Sequence, residues 1–306
     1  MQITSGMVKE LREKTGAGLM DCKAALTASD GDMEAAIDHL RTKGLAAAAK
    51  KSSRIASEGV VCAYVEGNSG ALVEVNCETD FVARTDNFVG LAKEIAALVN
   101  AKAPQDVEEA LTLPIGGGNL GEMLVGTVAK IGEKISFRRF ARLETAAGAS
   151  GMVVPYIHAG GKIGVLVAVS GADRSNVAVA ALAKDLAMQV AAANPTYIGR
   201  NDVPAPVIER EKTIYREQAR ASGKPDKILD KIADGKLAKY FGDFCLVEQA
   251  FIKDPDRKVS QLLADAGKAA GAPIAVSAFA RYQVGEGMEK RSDDLAAEVA
   301  KQLGQG

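Results

Sequence analysis

The chain repeats itself, and the repeat limits what it can fold into. Val61-Cys62-Ala63-Tyr64-Val65 matches Val153-Val154-Pro155-Tyr156-Ile157. A glycine-bearing turn follows each, Gly67-Asn68-Ser69-Gly70 in the first copy and Gly160-Gly161 in the second. Then come Leu72-Val73-Glu74-Val75 and Leu166-Val167-Ala168-Val169. Short apolar runs on either side of a glycine turn predict β-hairpins. Helical spacing follows each hairpin, over 91–99 and 182–190. Later, Ile135-Ser136-Phe137-Arg138-Arg139-Phe140-Ala141-Arg142-Leu143 matches Ile274-Ala275-Val276-Ser277-Ala278-Phe279-Ala280-Arg281-Tyr282, with helical patterns ahead of them at 120–131 and 259–270. The unit is hairpin, helix, helix, strand, used twice. Mainly antiparallel strands with helices on one side make an α+β architecture. The expectation is a duplicated antiparallel-sheet-plus-helices core.

The second copy is interrupted at 200–257. Pro204 and Pro206 open a helix with Val207, Ile208, Ile214 and Tyr215 along one side. Gly223-Lys224-Pro225 turns the chain, and a second stripe carries Ile228, Leu229, Ile232, Leu237, Tyr240 and Phe241. Two apolar stripes joined by a tight turn predict an inserted antiparallel helical hairpin, packed on itself or docked on another chain.

Residues 4–44 read as three short helices. Thr4 caps the first, Asp30-Gly31-Asp32 stops the second and caps the third, and Gly44 is expected as its C-cap. A glycine turn, Thr15-Gly16-Ala17-Gly18, precedes the adjacent pair Leu19 and Met20. This head resembles a UBA-like (ubiquitin-associated) three-helix domain. Two large apolar neighbours do not both face inward on one helix, so one of the pair is expected outside. Residues 44–57 read as a partly helical, solvated linker, and 292–306 as a short amphipathic C-terminal helix carrying Leu295, Val299 and Leu303. The expected domains are a helical head and linker at 1–55, core subdomains at 56–145 and 146–285, and a C-terminal helical module at 286–306.

Chemistry is mostly argued against. A net charge of -1 leaves no basic footprint for a nucleic-acid backbone. The four cysteines, Cys22, Cys62, Cys77 and Cys245, lack any CxxC spacing and read as free thiols of a reducing compartment. Neither a signal core nor a membrane-spanning run is present, so the expectation is a cytoplasmic chain with no membrane contact. GxxxxGK[ST], HExxH and GxSxG are absent. Gly116-Gly117-Gly118-Asn119-Leu120-Gly121 matches GxGxxG in form but lacks the βαβ context, and reads as a flexible loop. His39 and His158 are the only histidines. His39 belongs to a helix surface near Asp38 and Arg41, and His158 to a hairpin turn open to a partner. Neither has the companions a metal or a nucleophile triad needs. A binding scaffold is expected, not an enzyme, with no catalytic residue, cofactor or metal.

One stretch stands apart. Val75-Asn76-Cys77-Glu78-Thr79-Asp80-Phe81-Val82-Ala83-Arg84 runs from a strand into a helix. Phe81 is a large apolar residue among polar ones. Two readings stay open. Composition favours Phe81 folding back onto the core. The alternative is an exposed aromatic wedge with charged neighbours, the residue type of interface hot spots.

Leu11-Arg12-Glu13-Lys14-Thr15-Gly16-Ala17-Gly18-Leu19-Met20-Asp21-Cys22-Lys23 and Glu74-Val75-Asn76-Cys77-Glu78-Thr79-Asp80-Phe81-Val82-Ala83 resemble the signature stretches of the bacterial translation elongation factor Ts family. Gly160-Gly161-Lys162-Ile163-Gly164-Val165-Leu166-Val167 and Val284-Gly285-Glu286-Gly287 fit as well. The run 105–120 departs most from the pattern, and nothing is carried over there. The resemblance implies a guanine-nucleotide exchange factor for the GTPase elongation factor Tu. It implies that Thr79, Asp80, Phe81 and Val82 form a wedge that disturbs the partner's magnesium site. Arg12, Leu19, Met20 and His158 become further partner contacts. The helical hairpin becomes a coiled-coil or dimerisation element, giving a homodimer or heterotetramer. Three readings compete: an RNA- or ribosome-associated module, an enzyme using a cleft, and a structural dimer.

Overall fold

The computed structural model describes residues 3–15, 17–146 and 148–289. The expected helix at 292–306 lies outside the described residues, as does most of the 286–306 module. Contacts group the chain into two units, one built on residues up to 62, 73–140 and from 283 on, the other on 63–72 and 141–282.

The first unit opens with α1 (Ser5–Thr15), α2 (Leu19–Ala28) and α3 (Met33–Lys51). Val8, Leu11, Cys22, Ala25, Leu26 and Ala36 form their common core. Thr4 Oγ1 accepts from the Met7 amide at 3.3 Å, and Asp32 from the Ala35 amide at 2.9 Å. These are the expected caps. Next come β1 (Glu58–Glu66), β2 (Ser69–Cys77), α4 (Asp80–Ala83), α5 (Asp86–Lys102), α6 (Val107–Thr112), β3 (Pro114–Ile115), β4 (Gly118–Asn119), α7 (Leu120–Ile131) and β5 (Ser136–Glu144). One sheet has the order β1-β2-β5. On α5, Phe88, Leu91, Ala92, Ile95, Ala96 and Val99 are buried.

Gly44 does not cap α3. The helix runs on to Lys51, because Leu45 and the alanines after it are strong helix formers and one internal glycine costs only about 1 kcal/mol. Most of the expected linker is therefore helix. Gly44 is buried where α3 meets α7, and a Cβ there would stand 3.5 Å from Ala129 Cβ and 3.6 Å from Val125 Cγ1. That is room for a methyl group and no more. Gly44→Ala is expected to raise stability by about 0.5–1 kcal/mol. Gly44→Leu is expected to lower it by about 1–3 kcal/mol through overpacking. Urea midpoints of the two variants check the opposite signs.

The glycine run at 116–118 is a tight hairpin, not a flexible loop. Gly116 and Gly117 take φ of +60° and +85° between β3 and β4, as a type I′ turn requires. Asn119 then opens α7 with a capping box. Its side chain accepts from the Glu122 amide at 2.9 Å, and the Glu122 carboxylate accepts from the Asn119 amide at 3.2 Å. A carboxylate thus occupies the helix start, where a nucleotide phosphate would have to sit.

The second unit contains β6 (Gly151–His158), β7 (Ile163–Ser170), α8 (Val177–Ala193), α9 (Ala205–Ala221), α10 (Leu229–Phe244), β8 (Ala250–Phe251), β9 (Asp254–Lys258), α11 (Val259–Ala270) and β10 (Ala275–Gln283). β6 and β7 are antiparallel, with Gly151 opposite Ser170 and His158 opposite Ile163. The sheet order is β10-β7-β6, and α8 packs on β6 and β7. Val167, Val179, Ala183, Leu186 and Val190 anchor this core. α9 and α10 pack on each other across a turn where Gly223 has φ +74°. Arg216 pairs with Asp230 at 2.6 Å and Lys212 with Asp234 at 3.2 Å across the two helices. The small β8–β9 hairpin has no counterpart in the sequence expectation.

All four cysteines are free and buried. Burial pushes the Cys62 thiol up to about 11. Because the thiolate is the reactive form, maleimide at pH 8 is expected to leave the native protein unlabelled over times that fully label the urea-unfolded chain. Mass spectrometry reads the result. Among the described residues, no helix is long and apolar enough to cross a membrane.

Candidate partner-binding site

The stretch 75–84 builds its shape from two threonine caps. β2 ends at Cys77, whose thiol donates to the Thr79 carbonyl at 3.1 Å. Thr79 is extended, at φ -127° and ψ 151°, and its Oγ1 accepts from the Val82 amide at 3.3 Å. That caps α4, a single turn. Thr85 then accepts from the Phe88 amide at 3.3 Å and starts α5. The chain makes one helical turn, breaks and restarts.

A single turn has room for only one inward face. Ala83 is buried there, Asp80 and Val82 are half-buried, and Phe81 is 81% exposed. No other exposed large apolar side chain among the described residues is more accessible. The open question about Phe81 is therefore decided for exposure. The aromatic that enters the core is Phe88, on the buried stripe of α5. Asp80 lies 2.8 Å from Arg84 one turn on. An exposed pair of this kind contributes little stability.

The turn is braced from the segment between α7 and β5. Glu133 Oε2 accepts from the amides of Glu78 and Thr79, each at 3.1 Å, and Oε1 accepts from the Thr79 hydroxyl at 2.7 Å. Glu78 Oε1 in turn accepts from the Lys134 amide at 2.6 Å. Sequence reasoning missed Glu133. It lies 54 residues from Thr79 in the chain, and no local pattern marks it.

The strand leading into the turn is also pinned. Glu74 on β2 is fully buried and accepts from Arg138 Nη1 at 3.0 Å, Arg139 Nε at 2.6 Å, the Gly285 amide at 2.9 Å and Asn76 Nδ2 at 3.2 Å. Burial pushes its carboxyl up. The Gly285 N–H and the guanidinium groups of Arg139 and Arg138 outweigh that and hold it below the usual carboxylate value.

Thr79, Asp80, Phe81 and Val82 thus share one turn, while Arg12 is exposed on α1 and Leu19 and Met20 on α2. Both members of the Leu19–Met20 pair are outside, at 54% and 73%, where only one is expected. Leu19 is the first residue of α2 and its side chain points back past the helix start, so no earlier turn lies beneath it. Met20 lines a shallow groove with Lys23, Ala24, Thr27 and Ala28. His158 belongs to the second unit and ends β6 exposed. Tyr156 hydrogen-bonds its Nδ1 through the phenol at 3.0 Å and stacks on it at 5.9 Å. Among the described residues, no group of three or more His, Cys, Asp and Glu side chains is placed to hold a metal ion.

Comparison with known proteins gives a consistent result. A family model described as Elongation factor TS matches residues 78–286, starting one residue before the Thr79 cap. The Elongation factor Ts of Magnetococcus marinus is 50% identical over 303 residues, covering 98% of this chain and 99% of that protein. That of Syntrophotalea carbinolica is 50% identical over 302 residues, with 98% and 99% covered. That of Clostridium perfringens is 48% identical over 305 residues, with 99% of each covered.

Proposed function

The chain belongs to the elongation factor Ts family, and from that premise we propose that it is a guanine-nucleotide exchange factor, which binds elongation factor Tu and promotes GDP release so that GTP can enter. The observation that carries the reading is Phe81, an aromatic held almost wholly in solvent on a capped and braced turn. Keeping an aromatic out of water is worth about 1.5–3 kcal/mol. A fold that forgoes this at a rigid position presents the ring for a partner.

The mechanism is mechanical. A GTPase holds its nucleotide's phosphates on backbone N–H groups at a helix start and on magnesium. Magnesium tolerates little departure from octahedral geometry. Asp80 and Phe81, flanked by Thr79 and Val82, insert between elements that carry those ligands and displace them. Nanomolar nucleotide binding is worth roughly 12 kcal/mol, and weakening it about a thousandfold needs about 4 kcal/mol. Two or three hot-spot side chains supply that if they bind the displaced state better. The coupling is reciprocal, so incoming GTP expels the factor. No bond is made or broken, and no cofactor is needed.

Arg12, Leu19, Met20 and His158 serve as further contacts in this reading. The head at 1–55 acts as a UBA-like docking domain, and the two sheets are copies of one unit, in subdomains 56–145 and 146–285. The inserted hairpin, with Ile214 and Phe244 partly exposed, is a docking element through which a homodimer or heterotetramer forms. The site of action is the cytoplasm. Stopped-flow release of a fluorescent GDP analogue from elongation factor Tu tests the reading. The factor should accelerate release by orders of magnitude, and a preparation that leaves the rate unchanged would remove the assignment.

A further inference from the structure

We propose that Glu133 is a positioning residue for the wedge: with Glu78 answering it, its carboxylate locks the capped turn so that Asp80 and Phe81 stand in their partner-binding shape before a partner arrives. The inference rests on the exchange reading above and goes beyond the wedge residues themselves.

The geometry is reciprocal. Glu133 follows Gly132, whose left-handed φ of +84° ends α7. Its carboxylate takes three donors from the 78–79 segment, two amides at 3.1 Å and one hydroxyl at 2.7 Å. Glu78, whose side chain is only 12% exposed, returns a bond to the Lys134 amide at 2.6 Å. Arg54 Nη1 donates to both Glu78 oxygens at 3.3 Å, and Lys134 Nζ donates to the Arg54 carbonyl at 2.9 Å. Glu133 thus serves the backbone of Glu78 and Thr79 while Glu78 serves that of Lys134, the residue after Glu133, and bonds to ionised acceptors are stronger than neutral ones.

The chemistry explains the choice of residue. With the end of β2, the amides of Glu78 and Thr79 are donors that need acceptors. Glu133 supplies one oxygen to both. The Thr79 hydroxyl gives its proton to the other oxygen and leaves a lone pair for the Val82 amide. Glu133 therefore sets the direction of the cap that starts α4. A four-residue helix has no stability of its own, so its shape has to be imposed from outside. Imposing it beforehand removes an ordering cost from binding.

The test separates positioning from a general structural role. GDP-analogue release from elongation factor Tu is measured across a range of factor concentrations for wild type, Glu133→Ala and Glu133→Gln. Freeing the turn lowers the fraction of factor in the competent shape and raises the half-saturating concentration in proportion, without changing the bound state. Glu133→Ala is expected to raise it about tenfold, with the maximal rate kept within about twofold. Glutamine can still accept from both amides and donate to the Thr79 oxygen, so Glu133→Gln should stay within about threefold of wild type. Hydrogen exchange should show the Glu78 and Thr79 amides deprotected in the alanine variant alone. If Glu133→Ala fails to fold, Glu133→Asp keeps the charge but is one methylene too short to span both amides and the hydroxyl, and should raise the half-saturating concentration about threefold. An unshifted half-saturation despite deprotected amides, a fallen maximal rate instead, or a glutamine variant as impaired as alanine would each overturn the proposal. In all three cases wild type still accelerates release. If wild type fails to do so, the exchange reading falls and the positioning role with it.

Discussion

Glu74→Ala is expected to cost about 3 kcal/mol of folding stability, the largest loss from any single side chain outside the apolar core. The carboxylate is fully buried and is the common acceptor for Arg138, Arg139, the Gly285 amide and Asn76. Removing it takes the buried acceptor from two guanidinium groups and a backbone N–H, although Arg139 keeps the Glu286 carboxylate. The arginine side chains keep 24% and 28% exposure, so water partly replaces the lost acceptor, and the lower end of the buried-pair range applies. The loss also reaches the end of the described chain, because Arg139 holds the Gln283 carbonyl and the Glu286 carboxylate, each at 3.2 Å. A melting temperature lower by on the order of 10 °C checks the size. A drop of only a degree or two would mean that the cluster orders this region without stabilising it.

The same carboxylate gives stability an acid limb. Its folded-state pKa is depressed, so ionised Glu74 contributes stability in full above its unfolded value of about 4.3. That contribution is lost as pH falls from there through the lower folded value. Wild type should therefore lose stability on acidification below about pH 4 more steeply than Glu74→Gln, and the gap between them should narrow.

Glu74 also shows where sequence reasoning stops. The strand around it is legible, because Leu72, Val73 and Val75 sit ahead of a capped turn. Its burial is not, because the arginines that neutralise it lie 64 and 65 residues on. The two long hairpins, the main helices and the helix caps at Thr4 and Asp32 are local events, and local spacing finds them. Gly44 misleads for the opposite reason. A glycine near a helix end reads as a stop, while its value here is the close approach of α7, a neighbour that spacing does not reveal. Gly116 and Gly117 mislead because a short glycine run has the composition of a loose loop and the φ angles of a tight turn. Phe81 could not be assigned at all from composition. Whether an aromatic is covered depends on what packs above it, and on α4 nothing among the described residues does so.

Phe81→Ala should separate stability from function more sharply than any other substitution. The ring is 81% exposed, so the loss of folding stability should stay within about 0.5 kcal/mol. A hot-spot aromatic is worth about 2 kcal/mol or more at an interface, which converts to about thirtyfold or more in exchange efficiency. The kinetic form of the loss is informative. A contact made equally in the first encounter and in the displaced state would raise only the half-saturating concentration. A wedge binds the displaced state better, so its removal should lower the maximal rate of GDP release as well. Asp80→Ala should share that signature at smaller size, since the carboxylate already spends part of its charge on Arg84 at 2.8 Å. The signature is the reverse of that expected for Glu133→Ala, where the maximal rate survives. Stopped-flow titrations of the variants, alongside thermal unfolding of each, give both quantities. A folded Phe81→Ala protein that still accelerates release as wild type does would leave the exchange function standing and move the wedge elsewhere on the surface, first to the exposed Leu19 and Met20 of α2.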